Sequence, residues 1–197
     1  MQRNTREQFI TAALRLFADR GFYGVSIAAV ADELGLTKQA LLHHFGSKEQ
    51  LYAEVLQHIS AELLARSRSI VGGSAQPATL LEELVVAQYR DQMSDQHAAR
   101  LIMRELLDNE QRAAKAGNWY LKPYLDLLVE TALAIDSTVQ MSPAQALAVV
   151  YQFLGAAHYF AVSQPTLRRM YGANHFTATG DTYEEELRRL IRARLAV

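Results

Sequence analysis

The sequence predicts an all-α protein of about nine helices, and three observations carry that prediction. Apolar residues recur at three- and four-residue spacing almost throughout the chain. No stretch of strict apolar/polar alternation is long enough to form a strand. Finally, a Ser, Thr or Asp followed three residues later by Gln or Glu recurs along the chain, a pairing that satisfies the free N–H groups at a helix start.

Thr5 with Gln8 opens the first helix, with Phe9, Ile10, Ala13, Leu14 and Phe17 on its apolar face and Gly21 at its end. Ser26 caps a short helix carrying Ile27, Val30, Ala31 and Leu34, and Gly35 stops it. Thr37 caps another, running to about His44. Ser47 with Gln50 opens a long helix bearing Leu51, Val55, Ile59 and Leu63, which ends near the flexible stretch Val71 to Pro77. Thr79 with Glu82 starts a helix to about Met93, and the next covers Gln96 to Asn109. A further helix begins near Asn118, where Pro123 is early enough to be tolerated. Ser142-Pro143-Ala144-Gln145 is a strong start, with Pro at the first helical position, and that helix is expected to stop at Gln164, before Pro165. A loop with Gly172 and Gly180 then leads to a last helix opened by Asp181 and Glu184.

Composition narrows the function by exclusion. Among 197 residues there is no cysteine, which removes disulfides, thiolate nucleophiles and Cys-ligated zinc. Polar residues interrupt the apolar stretches, and the N-terminus has no signal-peptide pattern, so no membrane partner and a cytoplasmic location are expected. There is no Gly-rich phosphate loop, nucleophile elbow or compact metal-ligand spacing, so neither an enzyme nor a cofactor or metal is expected. The net charge is −1, so any nucleic-acid binding must rest on a few placed donors rather than on a strong overall field.

Residues 5 to 51 are the informative region. Two short helices joined through Leu34-Gly35-Leu36-Thr37 have the form of a helix-turn-helix, although such spacing also occurs in any small helical bundle. The residue string is more specific. Phe17-Ala18-Asp19-Arg20-Gly21-Phe22 and Val25-Ser26-Ile27-Ala28-Ala29-Val30-Ala31 are followed by Leu34-Gly35-Leu36-Thr37-Lys38-Gln39-Ala40-Leu41 and His44-Phe45-Gly46-Ser47-Lys48-Glu49-Gln50-Leu51. This run resembles the DNA-binding signature of the TetR family. The resemblance implies an N-terminal helix-turn-helix domain over residues 1–47. A helical ligand-binding and dimerisation domain follows over 48–197, joined by a connecting helix from about 47 to 70. It also implies a homodimer on double-stranded, palindromic operator DNA, most often a repressor, released by a small-molecule effector.

By the same resemblance Thr37, Lys38, Gln39 and Ala40 face bases from the first turn of the recognition helix. Lys38 suits guanine O6/N7 and Gln39 adenine N6/N7. Ser26, His43, His44 and Lys48 match phosphate-contacting positions, with His44 open also to packing against Phe45 or the first helix. One position departs from the pattern: most relatives carry a tyrosine directly after Leu41 whose hydroxyl reaches a phosphate, and this chain has Leu42.

The helix from Ser142 is apolar nearly all the way round, so it needs cover on more than one side. A second subunit would supply it, and Phe153, Gly155, Ala156, Ala157 and Phe160 are the expected interface residues. For an apolar or aromatic effector the candidates are Tyr89, Met93, His97, Met103, Trp119, Tyr120, Tyr124, His158 and Tyr159, large or adaptable groups that serve equally as core.

Overall fold

The computed structural model describes residues 4–72, 76–107, 119–135 and 141–195. Among the described residues every regular element is an α-helix: α1 (Thr5–Arg20), α2 (Ile27–Asp32), α3 (Lys38–Phe45), α4 (Lys48–Val71), α5 (Pro77–Ser94), α6 (His97–Leu107), α7 (Lys122–Leu133), α8 (Pro143–Tyr171) and α9 (Ala173–Leu195). They group into two compact units, residues 1–62 with 97–121 and residues 63–96 with 122–197. The units do not divide at 47/48, because the first half of α4 and all of α6 belong to the first.

In the first unit α1 packs on α2 and α6, and α2 packs on α3. Phe9, Phe17, Val30, Leu41, Leu51 and Val55 are fully buried there. The helix starts follow the expected chemistry. Ser26 Oγ accepts from Ala29 N–H at 3.0 Å, Thr37 Oγ1 from Ala40 N–H at 3.2 Å and Ser47 Oγ from Gln50 N–H at 3.2 Å. The first helix differs slightly: Asn4, not Thr5, is its cap, accepting from Arg6 N–H. The last turn of α1 is closed from α6, where the Arg104 guanidinium donates to the carbonyls of Ala18 (2.9 Å) and Asp19 (3.0 Å).

In the second unit α5, α7, α8 and α9 enclose one apolar core that includes Leu81, Leu84, Leu128, Val150, Phe153 and Ile191. Two helices are longer than the sequence suggests. α8 runs through Pro165 to Tyr171. A proline there removes one hydrogen bond, a cost of ~3 kcal/mol in a helix interior. Leu167, packed against the core two residues further on, opposes that cost. α9 starts at Ala173, so the expected loop is helical. Thr177, Thr179 and Thr182 donate their hydroxyls to carbonyls four residues back, those of Ala173, His175 and Ala178. Phe176, 4 % exposed, anchors that turn in the core. By length and composition α8 is also apolar enough to cross a membrane, contrary to the expectation from its polar interruptions, and 44 % of its most apolar stretch is buried inside the unit.

Candidate functional site

The turn between α2 and α3 is built by backbone. Leu36 N–H and Leu34 N–H both donate to Ala31 C=O, at 3.0 and 3.1 Å, and Gly35 takes φ +65°, a left-handed conformation that favours glycine. Thr37 then starts α3, so Lys38 and Gln39 occupy its first two positions, both exposed, with Ala40 half-buried behind them. The cap uses a lone pair of Thr37 Oγ1, and the hydroxyl proton remains able to donate outward. Ser26 is in the same position at the start of α2. The opposite side of α3 is anchored by Leu41 and Phe45, which are 0 % and 2 % exposed. The four base-facing candidates are therefore brought together on one helical turn.

The phosphate candidates divide. His43 is exposed, whereas the half-buried His44 ring lies 5.9 Å from Phe9 and 6.1 Å from Phe45, which is its packing alternative. Lys48 is the first residue of α4, and its Nζ stands 4.3 Å from the centroid of Phe22. Phe22 is itself fixed edge-on to Tyr52 at 5.1 Å. The sequence reading overlooked one residue here. Tyr23, between Phe22 and Gly24, is 81 % exposed, and a lone aromatic in a turn carries no periodic signal that would reveal it.

The effector candidates are not all brought together. Tyr89 and Met93 line an open cleft of about 830 Å³ in the second unit, with Gln164, Phe176 and Gly180. Arg90, Arg168, Arg188, Glu184 and Glu185 complete its lining. Tyr89 Oη donates to Gly180 C=O at 3.3 Å. Tyr124 and His158 belong instead to a buried polar chain inside the core. Tyr124 O–H donates to Gln88 Oε1 (2.7 Å), and Gln88 and Gln92 both present Nε2 to His158 Nε2 (3.4 and 3.0 Å). His158 Nδ1 lies 2.8 Å from Leu154 C=O, so the consistent tautomer carries its proton on Nδ1 and accepts at Nε2. Burial holds the imidazole below its ordinary value of 6.5, against the raising effect of the Leu154 carbonyl, and the same desolvation pushes the Tyr124 hydroxyl up. Gln92 Oε1 is the one buried side-chain polar atom among the described residues with no hydrogen-bond partner.

Three groups of candidates lie elsewhere than expected. His97, Met103, Trp119 and Tyr120 lie in the first unit, half-buried, and do not line the cleft. Tyr159 is 73 % exposed and does not line that cleft. Phe153, Ala157 and Phe160 are buried in their own subunit's core, so another chain cannot cover them. The exposed face of α8 is instead Leu147, Tyr151, Gly155 and Tyr159, spaced four apart, with Ala156 at its margin.

Ion pairs tie α5 to α9 beside the cleft. Arg188 reaches Glu82 and Glu83 at 2.6 and 2.7 Å, Arg192 reaches Glu82 at 2.7 Å, and Arg90 grips Glu184 through two nitrogens at 2.8 and 2.6 Å. Burial alone would raise the Glu82 carboxyl, but hydrogen bonds and charge from Arg192 and Arg188 outweigh it and hold the group below 4.5.

Comparison with known proteins agrees with this arrangement. Residues 9–55 match the sequence model described as "Bacterial regulatory proteins, tetR family". The HTH-type transcriptional repressor KstR2 of Mycobacterium tuberculosis (strain H37Rv) is 32 % identical over 109 residues, 55 % of this chain and 52 % of that protein. The chain thus spans about half the length of the KstR2 relatives it matches. Among solved structures, the fatty acid degradation regulator FadR of Bacillus halodurans superposes with a TM-score of 0.72 at 17 % identity, over 95 % of this chain and 97 % of that one. FadR of Bacillus subtilis, in complex with stearoyl-CoA, gives 0.70 at 16 % identity over 92 % and 96 %. At these identities the likeness is one of fold, and it extends through both compact units.

Proposed function

We propose that this chain, whose residues 9–55 match the TetR family of bacterial regulatory proteins, represses transcription as a homodimer on a palindromic operator and lets go when a small molecule binds. The observation that carries the DNA-binding reading is the first turn of α3. Lys38 and Gln39 stand exposed there on a helix whose other side is locked into the core by Leu41 and Phe45. Thr37 and Ala40 complete the base-facing turn, with Lys38 directed to guanine and Gln39 to adenine. Ser26, His43 and Lys48 hold phosphates on either side, and His44 serves mainly to seat α3 against Phe9.

A second copy would cover the exposed α8 stripe, placing two α3 helices on successive half-sites about 34–36 Å apart. The effector reading rests on the second unit. The cleft floor of Tyr89, Met93 and Phe176 suits an apolar or aromatic body, and Arg168 at its edge suits an acidic head group. The stearoyl-CoA bound by the structurally similar FadR has that amphipathic character. An effector lodged among these helices favours a conformation whose half-site spacing no longer fits DNA. Such a regulator acts in the cytoplasm.

Selection of bound duplexes from a random DNA pool with purified protein tests the central reading. Enrichment of a two-fold symmetric sequence with half-sites one helical turn apart is the expected result. Failure of a folded protein to enrich any sequence at moderate salt would overturn it.

A further inference from the structure

Tyr23 is the most exposed of the large apolar side chains among the described residues, at 81 %. Single exposed aromatics are ordinary on protein surfaces, so exposure alone assigns nothing. Here, however, the turn that presents the ring is rigid on both sides. Gly21 ends α1 at φ +70°, and Gly24 passes so close to α1 that a Cβ there would run into the Arg20 carbonyl oxygen. Val25, 2 % exposed, then pins the chain into the core. The Tyr23 ring stands edge-on against Phe22, with centroids 5.3 Å apart and planes at 84°. The same Phe22 ring carries the Lys48 ammonium at 4.3 Å and is wedged against Phe17 and Tyr52. One buried-side aromatic thus holds two polar groups at the surface, a phenol and a cation. Ser26, an exposed residue whose Oγ caps α2, lies three residues further along the chain.

We infer that Tyr23 is a DNA backbone contact: its phenolic O–H donates to a phosphate oxygen beside the phosphate neutralised by Lys48. The inference rests on the DNA-binding reading above. A neutral hydroxyl donating to a charged phosphate forms a charge-assisted hydrogen bond, and a preformed turn loses little conformational freedom in making it. The contact also answers the departure at Leu42. This chain lacks a phenol on α3 at the position after Leu41 and carries one on the turn before α2 instead. Backbone contacts of this kind set register and affinity without reading sequence.

The test measures binding of the full chain to two duplexes, the selected palindrome and a random sequence of equal length, by fluorescence anisotropy across a salt series. Y23F should weaken binding to both duplexes by roughly tenfold, since a hydrogen bond to a charged group is worth about 1.5–3 kcal/mol and 1.4 kcal/mol is a factor of ten. Its salt slope should match the wild type, because a neutral donor displaces no counterion, whereas K48A should lower the slope by about one. The thermal midpoint of Y23F should not move, as the ring is exposed. Wild-type affinity in Y23F alongside a weakened K48A overturns the inference while leaving the DNA-binding reading intact. Loss on the palindrome alone overturns the phosphate assignment in favour of base readout. A normal Y23F with a weakened Y23A overturns it in favour of ring packing on sugar. Wild-type protein that binds neither duplex removes the DNA-binding reading and this inference with it.

Discussion

Gln39 and Lys48 both belong to the proposed DNA surface, and their substitutions should be distinguishable by what they leave unchanged. Gln39→Ala should relax preference at one or two base positions by roughly 1–3 kcal/mol, with the salt slope preserved. A uniform loss across all sequences in a binding-site selection would remove Gln39 from base readout. Lys48→Ala should do the reverse, weakening every duplex alike. His158 gives a prediction of a different kind. Its folded-state pKa lies below 6.5, so above that pH both folded and unfolded chains hold it neutral. As pH falls below 6.5 the unfolded chain takes up the proton first, and stability drops until the pH passes His158's own lowered value. Urea titrations of wild type and His158→Gln should therefore converge in slope above pH 6.5 and diverge below it, with the variant flatter. Parallel curves would mean that the imidazole is not held neutral. At this scale the helix caps were readable from sequence, because Ser26, Thr37 and Ser47 act through bonds within three residues. Tyr23 and the Gln88–His158–Gln92 chain were not, because their meaning depends on exposure and on partners up to 70 residues away.

Helices α5 and α9 are joined by charge as well as by apolar packing. Glu82, with a side chain only 6 % exposed, receives both Arg188 and Arg192. Glu82→Gln should cost about 2 kcal/mol, less than the loss of a whole buried pair, because Arg188 keeps Glu83 and Glu184. In a domain of this size that corresponds to roughly 4–8 °C in Tm, readable by calorimetry. The wild-type stabilisation should be fully present above pH 4.5 and fade as the pH falls through the lowered values of Glu82 and Glu184. A Glu82→Gln protein with unchanged Tm and acid sensitivity would show that the pairs contribute nothing net. The limits of sequence reading at this scale are physical. α8 continues through Pro165 because tertiary packing of Leu167 outweighs a local break. The Thr-rich start of α9 reads as a loop because its hydroxyls compete for backbone, yet in the helix they bond to it. In the N-terminal region local signals and packing agree, so α1 to α4 fall within a residue or two of expectation.

For the molecule as a whole, the question is what covers α8. An apolar helix implied burial on more than one side, but sidedness cannot be read from a sequence that is apolar all round. The core takes Phe153, Ala157 and Phe160, and leaves Leu147 (41 % exposed), Tyr151 (47 %) and Tyr159 (73 %) facing outward. These lie along a four-residue ridge with Gly155 between them, where an added Cβ would meet nothing of its own chain within 4 Å. A two-fold related copy presents the same ridge, and ridges of four-residue spacing interdigitate at a steep crossing angle, with the glycine allowing close approach. Leu190 on α9, 48 % exposed, would extend the covered area towards what a stable homodimer requires. The double substitution Leu147→Glu/Tyr151→Glu places two carboxylates per chain in that seam, opposite their own symmetry mates. Sedimentation should then show the mass of one chain instead of two, while helical content and thermal unfolding within each unit persist, because neither side chain belongs to the core. Binding to the palindrome should fall steeply, since a monomer reads one half-site, whereas binding to random DNA should fall little. A variant that still sediments as a dimer would place the subunit interface on another face, and would leave the exposed stripe of α8 without the partner that its composition asks for.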